Sequence, residues 1–153
     1  MTYNSDPLKR LIYRAQDGIR WRKYLSNALA GLDFLKKNID QLGDKKIIVF
    51  CDGASPYEEK AFEEIRKHNM KGKLQDIPFY YCRGTWDMEA MSLVDRNLCK
   101  MLRKAVAKKD PADYEVWEAA LMSAGERKCD LTDKAYLGPI IEEININRER
   151  AYG

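Results

Sequence analysis

The chain has 153 residues, 45% of them hydrophobic and 33% charged, a balance that excludes a disordered polymer and suits one domain with its own core. A net charge of +3 is too small to make nucleic acid a default partner. No apolar run is long enough to span a bilayer, and the start Met-Thr-Tyr-Asn-Ser-Asp-Pro lacks the layout of a secretion signal, so a cytoplasmic protein is expected.

Residues 1–45 have the least regular pattern. Residues 8–13 read as a strand, a poor central one because of Lys9 and Arg10. Arg14, Arg20, Arg22 and Lys23 then crowd around Trp21 and Tyr24. A solvated surface, or a leader from a truncated reading frame, is the first reading of that cluster; an anion or nucleic-acid patch is the second. Residues 29–35 read as a helix, which leads to a turn at Gly43-Asp44.

From residue 46 onward, short apolar runs alternate with amphipathic stretches, the pattern of a parallel sheet covered by helices. Lys46-Ile47-Ile48-Val49-Phe50-Cys51 reads as a strand buried on both faces. After Asp52-Gly53-Ala54, Ser55 has the chemistry of an N-cap, Pro56 suits the first helical position and Glu58 completes a capping box. Ala61, Phe62 and Ile65 supply the apolar face of that helix. Ile77-Pro78-Phe79-Tyr80-Tyr81-Cys82 is the second clear strand, with proline at its start, and Arg83-Gly84-Thr85-Trp86-Asp87 follows as a loop.

A helix capped by Ser92, with Asp95 three residues on, should bury the stripe Leu93, Val94, Leu98, Met101, Leu102 and Ala105. Arg103, Lys104, Lys108 and Lys109 crowd its end, where cations favour the helix dipole. Asp110-Pro111 opens a further helix with Tyr114, Trp117, Ala120, Leu121 and Ala124 on one face and Gly125 as its stop. A last helical stretch begins at Thr132-Asp133, runs through Tyr136, Leu137, Ile140, Ile141 and Ile144, and is interrupted at Gly138-Pro139. From Asn145 a polar, frayed tail is expected.

The chemistry-bearing residues are few. Cys51, Cys82, Cys99 and Cys129 form no Cys-x-x-Cys pair, and His68 is the single histidine, so no metal site is expected. Cys51, Cys82 and Cys99 read as small buried hydrophobes, and His68 as a solvated residue. The loops Asp52-Gly53-Ala54-Ser55 and Arg83-Gly84-Thr85-Trp86 follow strands, where open parallel sheets bind ligands. The first offers backbone N–H groups near a helix start, and Gly53 would admit a flat ligand against the backbone; an ordinary βα turn is the competing reading.

The stretch KKIIVFCDGASPYEEKAFEEI, followed by IPFYYCRGTWDMEAMSLVDRNLCKML, resembles the second half of a flavodoxin domain. It is most similar to the branch that includes menaquinone-dependent protoporphyrinogen dehydrogenase, with its G-A-S-P-like loop, its R-G-x-x-D strand end and its S-x-x-D-R helix start, here Ser92 to Arg96. The resemblance covers residues 29–144, leaving 1–28 as an atypical segment and 145–153 as a tail. It implies a three-layer flavodoxin-like α/β fold with a short parallel sheet, incomplete at its N-terminal side.

The resemblance also implies non-covalent FMN and an electron-transfer or dehydrogenase function, with catalytic residues unassigned because the flavin carries the chemistry. Asp52, Gly53, Ala54 and Ser55 match the loop that borders the isoalloxazine ring, and Tyr57 just beyond is placed to stack on it or simply to pack. Residues 1–28 contain nothing like the T-x-T-G-x-T loop that binds the flavin phosphate, so the expectation of FMN comes without its usual anchor. The alternative is a flavin-free subunit that acts by protein–protein association across an open sheet edge, as a homo-oligomer or with a companion chain completing the sheet.

Overall fold

The computed structural model describes residues 11–16, 29, 32–43 and 45–152. The fold is mixed α/β around a short parallel sheet of order β1-β2-β3, formed by Leu11–Gln16, Ile47–Gly53 and Phe79–Arg83. Leu11 pairs with Ile47 and Gln16 with Asp52 at the two ends of one ladder; Val49 pairs with Phe79 and Gly53 with Arg83 at the ends of the other. The first strand runs through Gln16, three residues beyond the 8–13 expected, with residues 8–10 outside the described set, and among the described strands it is at an edge.

Helices α1 (Leu32–Asn38) and α2 (Glu59–Asn69) connect the three strands. Both connections step across the sheet in the same direction, so right-handed crossovers put both helices on one face. Leu29, Leu32, Leu35, Met70 and Leu74 accordingly pack with Val49, Cys51 and Phe79, while Phe62 and Ile65 close the edge of that cluster. Asn69 is buried there without strain. Its amide donates to the Ile65 carbonyl at 2.8 Å, and its oxygen accepts the Leu29 N–H at 2.7 Å.

The other sheet face presents Ile48, Phe50, Tyr80 and Cys82 to helix α5 (Gly138–Tyr152), through Ile140 and Ile144. Strand alternation thus sends Val49 and Cys51 one way and Ile48 and Phe50 the other, which makes β2 a strand covered on both sides, as its apolar run predicts. Helix α5 continues to Tyr152 where a frayed tail from Asn145 was expected. Gly138 does not break it: a 3-10 turn over Lys134–Leu137, capped by Asp133, feeds straight into the helix. Pro139 then stands in the first turn, where a missing N–H costs nothing.

Between β3 and α5 lies a second cluster. The expected loop at residues 83–87 contains strand β4 (Thr85–Trp86), antiparallel to β5 (Cys129–Asp130). These two strands sit with α3 (Leu93–Val106) and α4 (Val116–Ala124) around Trp86, Met88, Cys99, Val106, Leu121 and Ala124. The Trp86 indole donates to the Gly125 carbonyl at 3.0 Å, and Gly125 stops α4 with φ of 64°, a conformation that favours glycine. Pro111–Asp113 form a separate 3-10 turn capped by Asp110, so α4 begins at Val116, later than Asp110-Pro111 suggests.

Helix α3 has the cap its sequence predicts, the Ser92 hydroxyl accepting the Asp95 N–H at 3.2 Å. Its buried face is different from the one predicted. Cys99 and Val106 point inward with Leu102 against them, while Leu93, Val94 and Met101 are 73%, 68% and 65% exposed. Two arginines bond to groups outside the helix on the side away from that exposed stripe. Arg96 donates to the carbonyls of Met88 at 2.8 Å and Glu89 at 2.6 Å, and Arg103 reaches Glu126 at 3.4 Å. With both held toward the loop and α4, the apolar stripe on the opposite side is left to solvent.

All four cysteines are free thiols, with Cys51, Cys82 and Cys99 buried. Among the described residues no group of three or more metal-binding side chains is arranged to hold an ion, and no helix is long and apolar enough to cross a membrane.

Two measurements check this packing. Leu35→Ala, at a fully buried position, should lower unfolding free energy in urea by about 2–5 kcal/mol. Leu93→Ala and Met101→Ala should each change it by less than about 0.5 kcal/mol if α3 is oriented as described. Lys109, ahead of α4, donates to the buried carboxylate of Glu118 in that helix at 2.5 Å and the Glu115 N–H donates to it at 3.0 Å, holding that carboxyl below its ordinary value of 4.5. A depressed folded-state value contributes stability above the unfolded value and loses it as pH falls through the folded one. Thermal stability should therefore fall as pH drops below about 4.5, and Glu118→Gln should flatten that fall.

Candidate functional site

The carboxyl ends of β2 and β3 bring the two singled-out loops side by side. Strand β2 extends through Asp52 and Gly53, two residues beyond the expected Cys51, because β3 pairs with it as far as Arg83. One step further, the Gly84 N–H donates to the Gly53 carbonyl at 2.9 Å. Asp52 lies against Gly84 so closely that a Cβ there would be 2.8 Å from the carboxylate Oδ2. Asp52, Gly53 and Arg83-Gly84 therefore form one continuous surface built from two distant stretches of sequence.

Side chains from β3 occupy this surface. The Tyr81 hydroxyl donates to the Ser55 carbonyl at 2.7 Å, and Arg83 Nε donates to the Ala54 carbonyl at 3.2 Å. A Cβ added to Gly53 would come within 2.8 Å of the Tyr81 hydroxyl oxygen. The space that the absent side chain of Gly53 leaves is thus filled by Tyr81, and Ala54 packs toward the Trp86 cluster. An aromatic ring lying over a glycine on the neighbouring strand covers backbone that would otherwise be exposed.

The helix start is also different from the one expected. Residues 56–58 have no regular structure, α2 begins at Glu59, and Glu58 is its extended cap residue without a side-chain cap hydrogen bond. Ser55 and Pro56 do not cap or open the helix because the segment is pinned from outside: Tyr81 holds the Ser55 carbonyl, and the Tyr136 hydroxyl accepts the Tyr57 N–H at 3.1 Å. The first turn of α2 then follows directly on Glu58 and Glu59, whose carboxylates already complement the helix dipole.

Tyr57 is 43% exposed and its ring stands in a small aromatic group, 5.4 Å from Phe62 and 6.2 Å from Tyr81, with Tyr136 5.9 Å from Tyr81 on the far side. The Tyr57 hydroxyl donates to Glu59 at 2.5 Å. That bond, then burial, then the nearby charges of Glu59 and Glu63, push its pKa up to about 12, so it stays a neutral phenol. Tyr80 on the opposite sheet face is pushed up to about 12 by burial first and then by its hydrogen bond to Glu143. Neither tyrosine is poised as a base.

As a cradle for a flavin ring, the loop residues do not fit as folded. Gly53 faces Tyr81, the carbonyls of Ala54 and Ser55 have protein donors, and the helix start is acidic; of the five residues singled out, Tyr57 alone presents an exposed ring. Of the residues that organise the loop, Arg83 belongs to the second loop read from the sequence, while Tyr81 and Tyr136 were read only as parts of a strand and a helical stretch. A tyrosine opposite Cys51, two places before Gly53, was the available signal, but only the parallel register makes the two neighbours. No known protein family, curated protein or solved structure matches this chain.

A double-mutant cycle tests this account of Gly53. Gly53→Ala should cost about 1–3 kcal/mol by overpacking against the Tyr81 hydroxyl. In a Tyr81→Phe background, where that oxygen is gone, the cost should shrink by about 0.5 kcal/mol or more; strictly additive effects would mean that Tyr81 does not use the glycine.

Proposed function

We propose that this chain is a flavodoxin-like α/β module of the cytoplasm that works by protein–protein association, as a flavin-free subunit. The observation that carries the reading is the outer face of α3, where Leu93 and Val94, and Met101 two turns further on, stand in solvent. Side chains of that kind grouped on one helix face, and not scattered singly, mark a surface that another protein covers. The parallel order β1-β2-β3, with helices from both directions on the sheet, is what the last three strands of a 2-1-3-4-5 sheet would display, which supports the flavodoxin-like part of the reading.

The second reading, FMN-dependent electron transfer, has one specific observation in its favour. Tyr57 offers a half-exposed ring backed by Phe62 and Tyr81 beside the Asp52–Ser55 loop, an aromatic surface on which a flat cofactor could stack. The filled space at Gly53 weighs against it.

The two readings separate in solution. At tens of micromolar, the purified chain should sediment as a species heavier than its monomer and should leave FMN fluorescence unquenched. A compact monomer that quenches FMN stoichiometrically, with the quenching lost in Tyr57→Ala, would overturn association and establish the flavin reading.

A further inference from the structure

We infer that residues 84–131 are a cap on the carboxyl edge of the sheet, one that opens as a unit while the sheet stays folded and so uncovers Ala54. In α/β units a strand is joined to its following helix by a short loop, typically about 2–6 residues long. Here β3 ends at Arg83 and the turn that feeds α5 begins at Lys134. The stretch between them holds β4, α3, α4 and β5. The sheet closes its own core without that stretch. Ile140 and Ile144, beyond it in sequence, pack with Ile48, Phe50, Tyr80 and Cys82, and the rings of Tyr81 and Tyr136, on either side of it, are 5.9 Å apart.

The chain leaves the sheet and returns through one neck. Thr85 pairs with Asp130 and Trp86 with Cys129, so entry and exit run side by side. Beyond the neck, polar side chains bond inward. Arg96 holds the carbonyls of Met88 and Glu89, Arg103 meets Glu126, Lys109 meets Glu118, and Lys128 meets Asp87 at 3.2 Å. The apolar cluster around Trp86, Cys99 and Leu121 is likewise distinct from the two that flank the sheet. A core and a polar network that both close within one continuous stretch are what a separately cooperative unit requires.

The unit meets the sheet at the loop after β2. The Gly84 N–H donates to the Gly53 carbonyl at 2.9 Å, and Ala54 packs against the Trp86 cluster. A stretch of this size buries a smaller fraction of its surface than a full domain, so the cap is the weaker unit and opens first. Its opening is then the event that controls access to the carboxyl edge.

The buried thiols report on both units, Cys99 in the cap and Cys51 and Cys82 in the sheet. Maleimide labelling of the full chain, mapped by mass spectrometry in a Cys129→Ser background, tests the inference. Cys99 should label about tenfold or more faster than Cys51 and Cys82, with a shallower dependence on low concentrations of urea. Leu35→Ala should speed Cys51 and Cys82 by about thirtyfold or more and leave Cys99 within about twofold. One rate and one urea dependence for all three thiols in the parent chain would mean a single cooperative unit and overturn the inference, whether or not Leu35→Ala folds. Ala54→Cys should label at the rate of Cys99. Labelling as fast as a fully exposed thiol, or as slow as Cys51, would show that the cap does not cover Ala54 and overturn its role at the edge.

Discussion

Everything in this fold is organised by the demand that strand β2 be dry on both sides. Val49 and Cys51 need one apolar partner layer, Ile48 and Phe50 need another, and the strand's own N–H and C=O groups need a neighbour on each edge. The parallel ladders to β1 and β3 satisfy the backbone. The helices of the two crossovers cover the first face, and α5 returns from the C-terminal end of the sequence to cover the second. Without α5, Ile48 and Cys82 would face water, so residues almost a hundred positions apart belong to one cooperative core.

The carboxyl edge of the sheet inherits its character from that arrangement. Pairing through Gly53 and Arg83 draws the loop after β2 over β3, and once there Tyr81 and Arg83 bond its carbonyls. Loops in this position are where many α/β proteins receive ligands. Here the carbonyls of Gly53, Ala54 and Ser55 are bonded within the chain, and the glycine that would let a ligand approach lets a tyrosine approach instead. The outward-facing chemistry moves to α3, which is held by its polar side. Arg96 and Arg103 face the protein, and Leu93, Val94 and Met101 stand exposed beside Asn97, Lys100 and Lys104.

Much of the architecture was legible from local pattern. The two apolar runs at residues 46–51 and 77–82 are strands within one or two residues, the Ser92 cap and the Gly125 stop stand where their side-chain and backbone chemistry predicts, and three of the four cysteines are buried as small hydrophobes. Each of these depends on interactions within a few residues of chain, or on burial that an unbroken apolar run already demands. The site was far less legible. Asp52, Gly53, Ala54, Ser55 and Tyr57 do gather at one end of the sheet, but the partners that decide their role, Tyr81, Arg83 and Tyr136, come from other elements through the register.

The sequence by itself determined that α3 is an amphipathic helix, where it begins, and which of its residues are apolar, because periodicity and capping are properties of the segment alone. Which side of that helix meets the core was decided only in the tertiary structure. An apolar stripe lowers free energy wherever it finds cover; here Cys99, Leu102 and Val106 take the core, while Arg96 and Arg103, seven residues apart, bond to acceptors on the loop after β4 and just beyond α4. The acceptors lie outside the helix, so no reading of its own periodicity contains them. The same holds at Gly53, whose neighbour is set by the parallel register and not by the residues beside it in the chain.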